Sequence, residues 1–191
     1  MSGFPKVAVA LNPALEYNDL LGWTSDPSVG IQGVTLSLSA TVFVHRIPLP
    51  APMTVTNLLI ACSALGLTLT NSYVALFKSD GTIIGQSADQ STAWGATGAI
   101  GLYTLPLVGG PHVCTPLAAN DFLWAGVYVG TAATRPGFQV IHNSYGYLFN
   151  VGCSTARSRS AYVAQSNSPT LISFVPSSLA TTNPLAWMGL S

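Results

Sequence analysis

Six carboxylates and six Lys or Arg side chains are all the formal charge this 191-residue chain carries, 6% of its residues, where an ordinary soluble domain carries about 25%. No other feature narrows the outcome as much. A chain that is also 49% hydrophobic and 9% aromatic has enough apolar surface to fold. It has too few ionised side chains to keep that folded surface apart from neighbours by repulsion. The net charge is zero, so no positive field collects phosphates and nucleic acid is excluded as a partner class. The length suits one domain.

The mean hydropathy of +0.46 and the charge-free stretches 47–77, 90–120 and 160–191 raise the question of a membrane. The most apolar piece, residues 58–69, contains Ser63, Gly66 and Thr68 and follows three prolines. It is well short of the roughly 20 apolar residues that a spanning helix needs, so membrane insertion is not expected. The first residues lack the basic start and apolar run of a secretory signal. Cys62, Cys114 and Cys153 are odd in number and far apart, which fits neither a disulfide framework nor a Cys-x-x-Cys metal pair. They read as buried thiols of a reducing compartment.

Residues 1–32 differ from the rest. Asn12-Pro13 can cap a short helix over 13–21 that stops at Gly22, and the segment reads as an N-terminal arm before a body of residues 33–191. From Val34 the period becomes two: Val34, Leu36, Leu38, Ala40, Val42 and Val44 alternate with Thr35, Ser37, Ser39, Thr41, Phe43 and His45. That pattern predicts one long strand with its first row on a core and its second row outside. Further strands are predicted over 53–61, 73–78, 82–86, 99–107 and 121–130, and over 138–142, 145–151, 161–164, 171–175 and 185–190. The pair 73–78 and 82–86 is joined by Ser79-Asp80-Gly81, an Asp-Gly hairpin signal. Within 121–130, Phe122, Trp124 and Tyr128 share one face and Leu123, Ala125, Val127 and Val129 the other, so the strand must lie between two layers or two subunits. The class expected is all-β, an antiparallel β-sandwich of jelly-roll type.

Chemistry is sparse. His45, His112 and His142 have none of the spacings that place two ligands on one helical face, so no metal or other cofactor is expected. No Gly-x-Ser-x-Gly elbow occurs, and Cys153 beside His142 reads as a buried thiol near a strand-end histidine. Of the six acids, Glu16, Asp19 and Asp26 belong to the arm, while Asp80 and Asp121 stand where Asx side chains bond their own backbone. Asp89 lacks that explanation and also lacks an acidic partner for glycosidase chemistry. No catalytic residue is expected. The candidates for ligand or partner contact are Trp94, Tyr145, Tyr147, Arg157 and Arg159, loop aromatics and forked cations of the kind that hold sugars or proteins. Ordinary strand packing is the favoured account of the Tyr145/Tyr147 spacing.

Residues 76–87 (Leu-Phe-Lys-Ser-Asp-Gly-Thr-Ile-Ile-Gly-Gln-Ser), Trp94 and residues 121–130 (Asp-Phe-Leu-Trp-Ala-Gly-Val-Tyr-Val-Gly) together carry a resemblance. Over residues 34–130 the chain resembles a β-sandwich module of minor tail and other virion proteins of tailed bacteriophages, the actinobacteriophage type above all. The resemblance implies a non-enzymatic virion structural protein assembled in the host cytoplasm. It further implies a homotrimer on the tail or the capsid, in contact with other virion proteins, and offers no catalytic residues. The chain departs from long tail fibres in having no collagen-like or coiled-coil stalk. The alternatives are a module that binds carbohydrate or a host receptor, with a host cell-surface glycan as partner, and a capsid decoration protein that stabilises the head.

Overall fold

The computed structural model describes residues 19–24, 31–35, 40–119, 121–141, 159–166, 168–181 and 185–191. Fifteen strands run through them: β1 (Gly22–Trp23), β2 (Ile31–Thr35), β3 (Thr41–Pro48), β4 (Met53–Val55), β5 (Asn57–Ala64), β6 (Thr70–Lys78), β7 (Ile83–Gln86), β8 (Gly101–Pro106), β9 (His112–Cys114), β10 (Phe122–Thr131), β11 (Gly137–Ile141), β12 (Ser160–Ala164), β13 (Ala180–Thr181), β14 (Leu185–Ala186) and β15 (Met188–Leu190). Every pairing is antiparallel. The all-β sandwich expected from the sequence is the fold observed.

β10, apolar on both rows, lies where its composition demands, between β3 and β6 in a sheet ordered β13-β12-β3-β10-β6-β7. The opposing sheet runs β1-β15-β5-β11-β14, with β2 added to β11 and β8 to β5; β4 and β9 form a separate ribbon. One row of β10, Leu123, Ala125, Val127 and Val129, enters the core between the sheets with Phe43, Ile47, Leu58, Ile60, Phe138, Met188 and Leu190. The other row, Trp124 and Tyr128, faces outward into a second cluster with Val42, Val44, Tyr73 and Phe77.

The chain itself covers that outer cluster. Leu171, Phe174 and Leu179, from an irregular stretch after β12, lie across it, so β10 sits between two layers of one molecule. The strap is pinned to the β6–β7 hairpin. Leu171 N–H donates to Gln86 Oε1 at 2.8 Å, Gln86 Nε2 donates to Pro169 O at 3.0 Å, and Ile83 N–H donates to Ser173 Oγ at 3.0 Å. Phe174 N–H donates to Gly81 O at 3.0 Å. The hairpin forms as predicted, with Thr82 N–H bonded to Asp80 Oδ1 at 2.8 Å. Gly81 has φ +84°, and a Cβ there would collide with the Phe174 carbonyl; glycine serves both the turn and the strap.

Four expectations need correction. The single strand over 34–44 is two strands in opposite sheets: β2 pairs with β11, whereas β3 pairs with β10 and β12. Ala40, at φ +49°, stands immediately before β3, and residues 36–39 lie outside the described residues. The predicted outer row is also inverted in β3, for Phe43 packs in the inter-sheet core while Val42 and Val44 face the strap. Residues 53–61 divide at Thr56 because β4 pairs with β9 and β5 with β8, β11 and β15. Residues 171–175 are strap and not strand, since their hydrogen bonds go to side chains and to the hairpin turn. The predicted helix over 13–21 lies outside the described residues except for 19–21, where Asp19 has φ +53°. The strand predicted over 145–151 lies outside them altogether. Among the described residues no helix is long and apolar enough to cross a membrane.

The described end of the arm is stitched to the opposite end of the chain. Leu21 N–H and Thr24 N–H donate to Leu190 O and Met188 O, and Leu20 packs with Leu59 and Trp187 on the outer face of their sheet.

Gly126 lies on the outward row of β10, where a Cβ would stand 2.9 Å from Val42 Cγ1 and 3.0 Å from Phe77 Cε2. Ala would recover about 0.5–1 kcal/mol of chain entropy over Gly, but overpacking against a β-branched residue and a buried ring costs about 1–3 kcal/mol. Gly126→Ala is therefore expected to destabilise by about 1–2 kcal/mol, read as a lower urea midpoint with unchanged slope.

Candidate functional site

Of the five sequence candidates, the described residues include Trp94 and Arg159. Trp94 is fully buried, its indole edge-on to Phe138 with ring centroids 5.0 Å apart, and it therefore presents no face to a ligand. The tight segment after Asp89 turns it inward, where it fills the end of the inter-sheet core. Arg159 is exposed, and its carbonyl accepts from Arg46 N–H at 2.9 Å. Tyr145, Tyr147 and Arg157 lie outside the described residues, as do His142 and Cys153.

A cleft of about 400 Å³, within the size range of small-ligand sites, opens at one end of the sandwich. Its floor is apolar, with Leu49, Ile84 and Leu123; its walls carry Lys78, Ser79, His112, Cys114 and Asp121; Val113 and Leu117 are exposed at its rim. The β6–β7 hairpin brings Lys78 and Ser79, β9 brings His112 and Cys114, and the start of β10 brings Asp121. Sequence reading missed this site because β9 is three residues long and has no alternation to reveal it.

Asp121 and Cys114 already have structural tasks in the cleft. Burial alone would raise the Asp121 carboxyl. N–H donation from Leu117 and Phe122, both at 2.8 Å, and the Ser79 side chain outweigh burial and hold it below the usual carboxylate range. Burial pushes the Cys114 thiol up against the opposing pull of the Lys78 charge, which disfavours the thiolate a nucleophile requires. The Cys114 thiol donates to the His112 carbonyl at 3.7 Å and not to its ring. The His112 ring is wedged between Gly85 and Gly110, where a Cβ would come within 2.7 Å and 2.9 Å of it. Among the described residues no three His, Cys, Asp or Glu side chains converge to hold a metal.

Outside the cleft, Asp89 proves to be a loop anchor. Its Oδ1 accepts from Ser72 N–H at 2.8 Å, Ser91 N–H at 3.0 Å and the Ser91 hydroxyl at 2.6 Å. Burial opposes these bonds, but together they outweigh it and lower the carboxyl. Arg46 stacks over Phe122 at 3.8 Å and Trp124 at 4.9 Å. Cys62 and Cys114 are free and buried, as expected of them. No family model matches the chain and no curated protein matches its sequence.

His45 is fully buried on β3 between Ala125 and Ser160 in register, its Nδ1 3.1 Å from Ser160 Oγ. Burial lowers its pKa from 6.5 to about 3. The folded chain thus keeps His45 neutral while the unfolded chain protonates it. Stability from this residue is complete above pH 6.5 and is lost as pH falls toward 3, at roughly 1.4 kcal/mol per unit. The lowered carboxyls of Asp80, Asp89 and Asp121 lose their contribution only below their ordinary value of 3.8. Urea midpoints between pH 6.5 and 4.5 should therefore fall steadily in the wild type, with that slope largely removed in His45→Gln whatever its absolute stability.

Proposed function

We propose that the protein is a non-enzymatic structural protein of a tailed-phage virion, a β-sandwich present in several copies on the tail or capsid. The observation that carries the structural part of this reading is the surface. Ile100, Val108, Val113, Leu117 and Val175 are 64–74% exposed on a chain with so little charge, and a protein that works as a free monomer keeps such apolar area small and ringed by charge. The phage setting rests on the resemblance carried by residues 76–87, Trp94 and 121–130. The assignment of Asp80, Asp89 and Asp121 to backbone capping further supports a role without catalysis.

The anchor to neighbouring virion proteins is assigned to the arm ahead of Asp19, because Leu20 is already packed on Leu59 and Trp187 and β1 is paired with the body's own β15. Deleting residues 2–18 should leave the melting temperature of the body unchanged and abolish incorporation into particles. Normal incorporation of that variant would defeat the anchoring role. A purified chain that sediments as a single copy over its whole soluble range would defeat the structural reading itself.

A further inference from the structure

Among the described residues, strand β8 is partnered along one edge. Gly101 to Pro106 run against Cys62 to Asn57 of β5. β8 reaches the other sheet just beyond its end, through the Ser87–Leu107 bridge and the Val108 N–H bond to Gln86 O at 2.8 Å. Among the described residues no strand pairs with the far edge of Gly101 to Thr104. That edge is solvent-exposed and apolar. Ile100 is 65% and Leu102 61% exposed, and the space beside Gly101 is open for at least 4 Å.

Edge strands of proteins that remain single are guarded by lysines, inward charges, bulges or a covering element. No Asp, Glu, Lys or Arg occurs between Gln90 and Asn120, and Pro106 stands at the strand's last position, leaving Gly101 to Thr104 open. An unpaired row of backbone donors and acceptors is satisfied by another strand, which a small molecule cannot imitate. The absence of charge suits one strand in particular. When an edge meets a copy of itself across a twofold axis, each charge lies close to its own duplicate, and like charges opposed across a ladder are destabilising. β8 carries no such penalty.

We infer that β8 is the contact through which two copies of this chain associate, their β8 strands pairing antiparallel so that the sheet of one continues into the other. This deepens the reading of the protein as a self-assembling structural module and rests on it. Opposed residues in a ladder share a face, so the outward Leu102 must oppose an outward residue, Leu102 or Thr104 of the second copy. Either register joins Leu102 of both copies to the outer-face cluster of Leu20, Leu59 and Trp187, because Leu102 is already paired with Ala61 beside it. The association is twofold, and it departs from the three copies that the phage resemblance implies.

The test is sedimentation of the full chain as wild type, as Ile100→Lys/Leu102→Lys, and as Ile172→Lys. The last places a charge at a comparably exposed apolar position, 62% accessible, on the strap over the other sheet. The expected result is an even-numbered oligomer for the wild type and for Ile172→Lys, with association weakened at least about 100-fold in the double variant. Hydrogen exchange should show amides of residues 101–104 protected more strongly as wild-type concentration rises, a readout that stands even if the double variant folds poorly. An oligomer whose 101–104 amides exchange freely, or one unaffected by the double substitution, overturns the β8 contact and leaves the structural reading standing. An odd-numbered ring whose β8 edges pair with a different strand overturns the twofold pairing. A wild type that is always a single copy overturns both.

Discussion

Burial of β10 on both faces is the constraint from which the rest of the molecule follows. One row, Leu123 to Val129, demands an opposing sheet, and β5, β11 and β15 supply it. The other row holds two of the largest side chains in the chain, Trp124 and Tyr128, and a sheet face of that kind is usually covered by helices. Here an aperiodic strap covers it with Leu171, Phe174 and Leu179. The polar ends of the covered rings must also be satisfied, since an unpaired buried donor costs about 1–3 kcal/mol. Trp124 Nε1 donates to Ser79 O at 3.3 Å, and the Tyr128 hydroxyl donates to Ser166 O at 3.0 Å. Ser79 lies at the β6–β7 turn and Ser166 just after β12, so the position of the strap is fixed by polar geometry as well as by area.

The parts of this arrangement that were legible in the sequence are those encoded locally. The two-row composition of residues 122–129, the Asp-Gly turn between β6 and β7, and the alternation around Val42 each specify strand, and together they specify an all-β layered body. What was not legible depends on where the chain goes next. Nothing between Val34 and Val44 is Gly or Pro, so the alternation shows no boundary, yet the chain changes sheets there. Trp94 follows Ser91 and Thr92 and looks like a loop aromatic. Only the tertiary path shows that its loop folds back to plug the core against Phe138. Residues 171–175 have strand composition but lack a free edge to join, because Gln86 and Ser173 take up the bonds on that side. The cleft was invisible for the same reason: Lys78, His112 and Asp121 are brought together by three separate elements, and none of them has a recognisable spacing to the others.

Four of the chain's charged side chains are used inwardly. Asp80 holds the hairpin turn, Asp89 ties the loop before Trp94 to β6, and Asp121 caps the entry to β10. Each carboxylate accepts backbone N–H groups that would otherwise be unpaired at a turn, which is the commonest work of Asx side chains in β proteins. Arg46 lays its guanidinium on Phe122 and Trp124, extending the aromatic cluster outward instead of projecting alone into water. Ionised groups committed in this way fix loops, but they contribute little repulsion between molecules.

That division of labour explains how a neutral surface can coexist with a specific fold. Specificity inside the molecule comes from shape at sites such as Gly81 and Gly126, where a methyl group has no room, and from the turns that the aspartates hold. Between molecules, neither long-range steering nor like-charge exclusion is available to a chain with zero net charge, and scattered apolar side chains such as Val113 and Leu117 have no directional preference. The directional groups that remain at the surface are backbone N–H and C=O at strand edges, and on the β7 edge the Ile83 N–H is engaged by Ser173 of the strap and the Gln86 carbonyl by Val108 N–H. Selectivity in whatever the body contacts is thereby shifted from side-chain charge to the geometry of the edges left unpaired, where register and strand direction decide which surfaces fit.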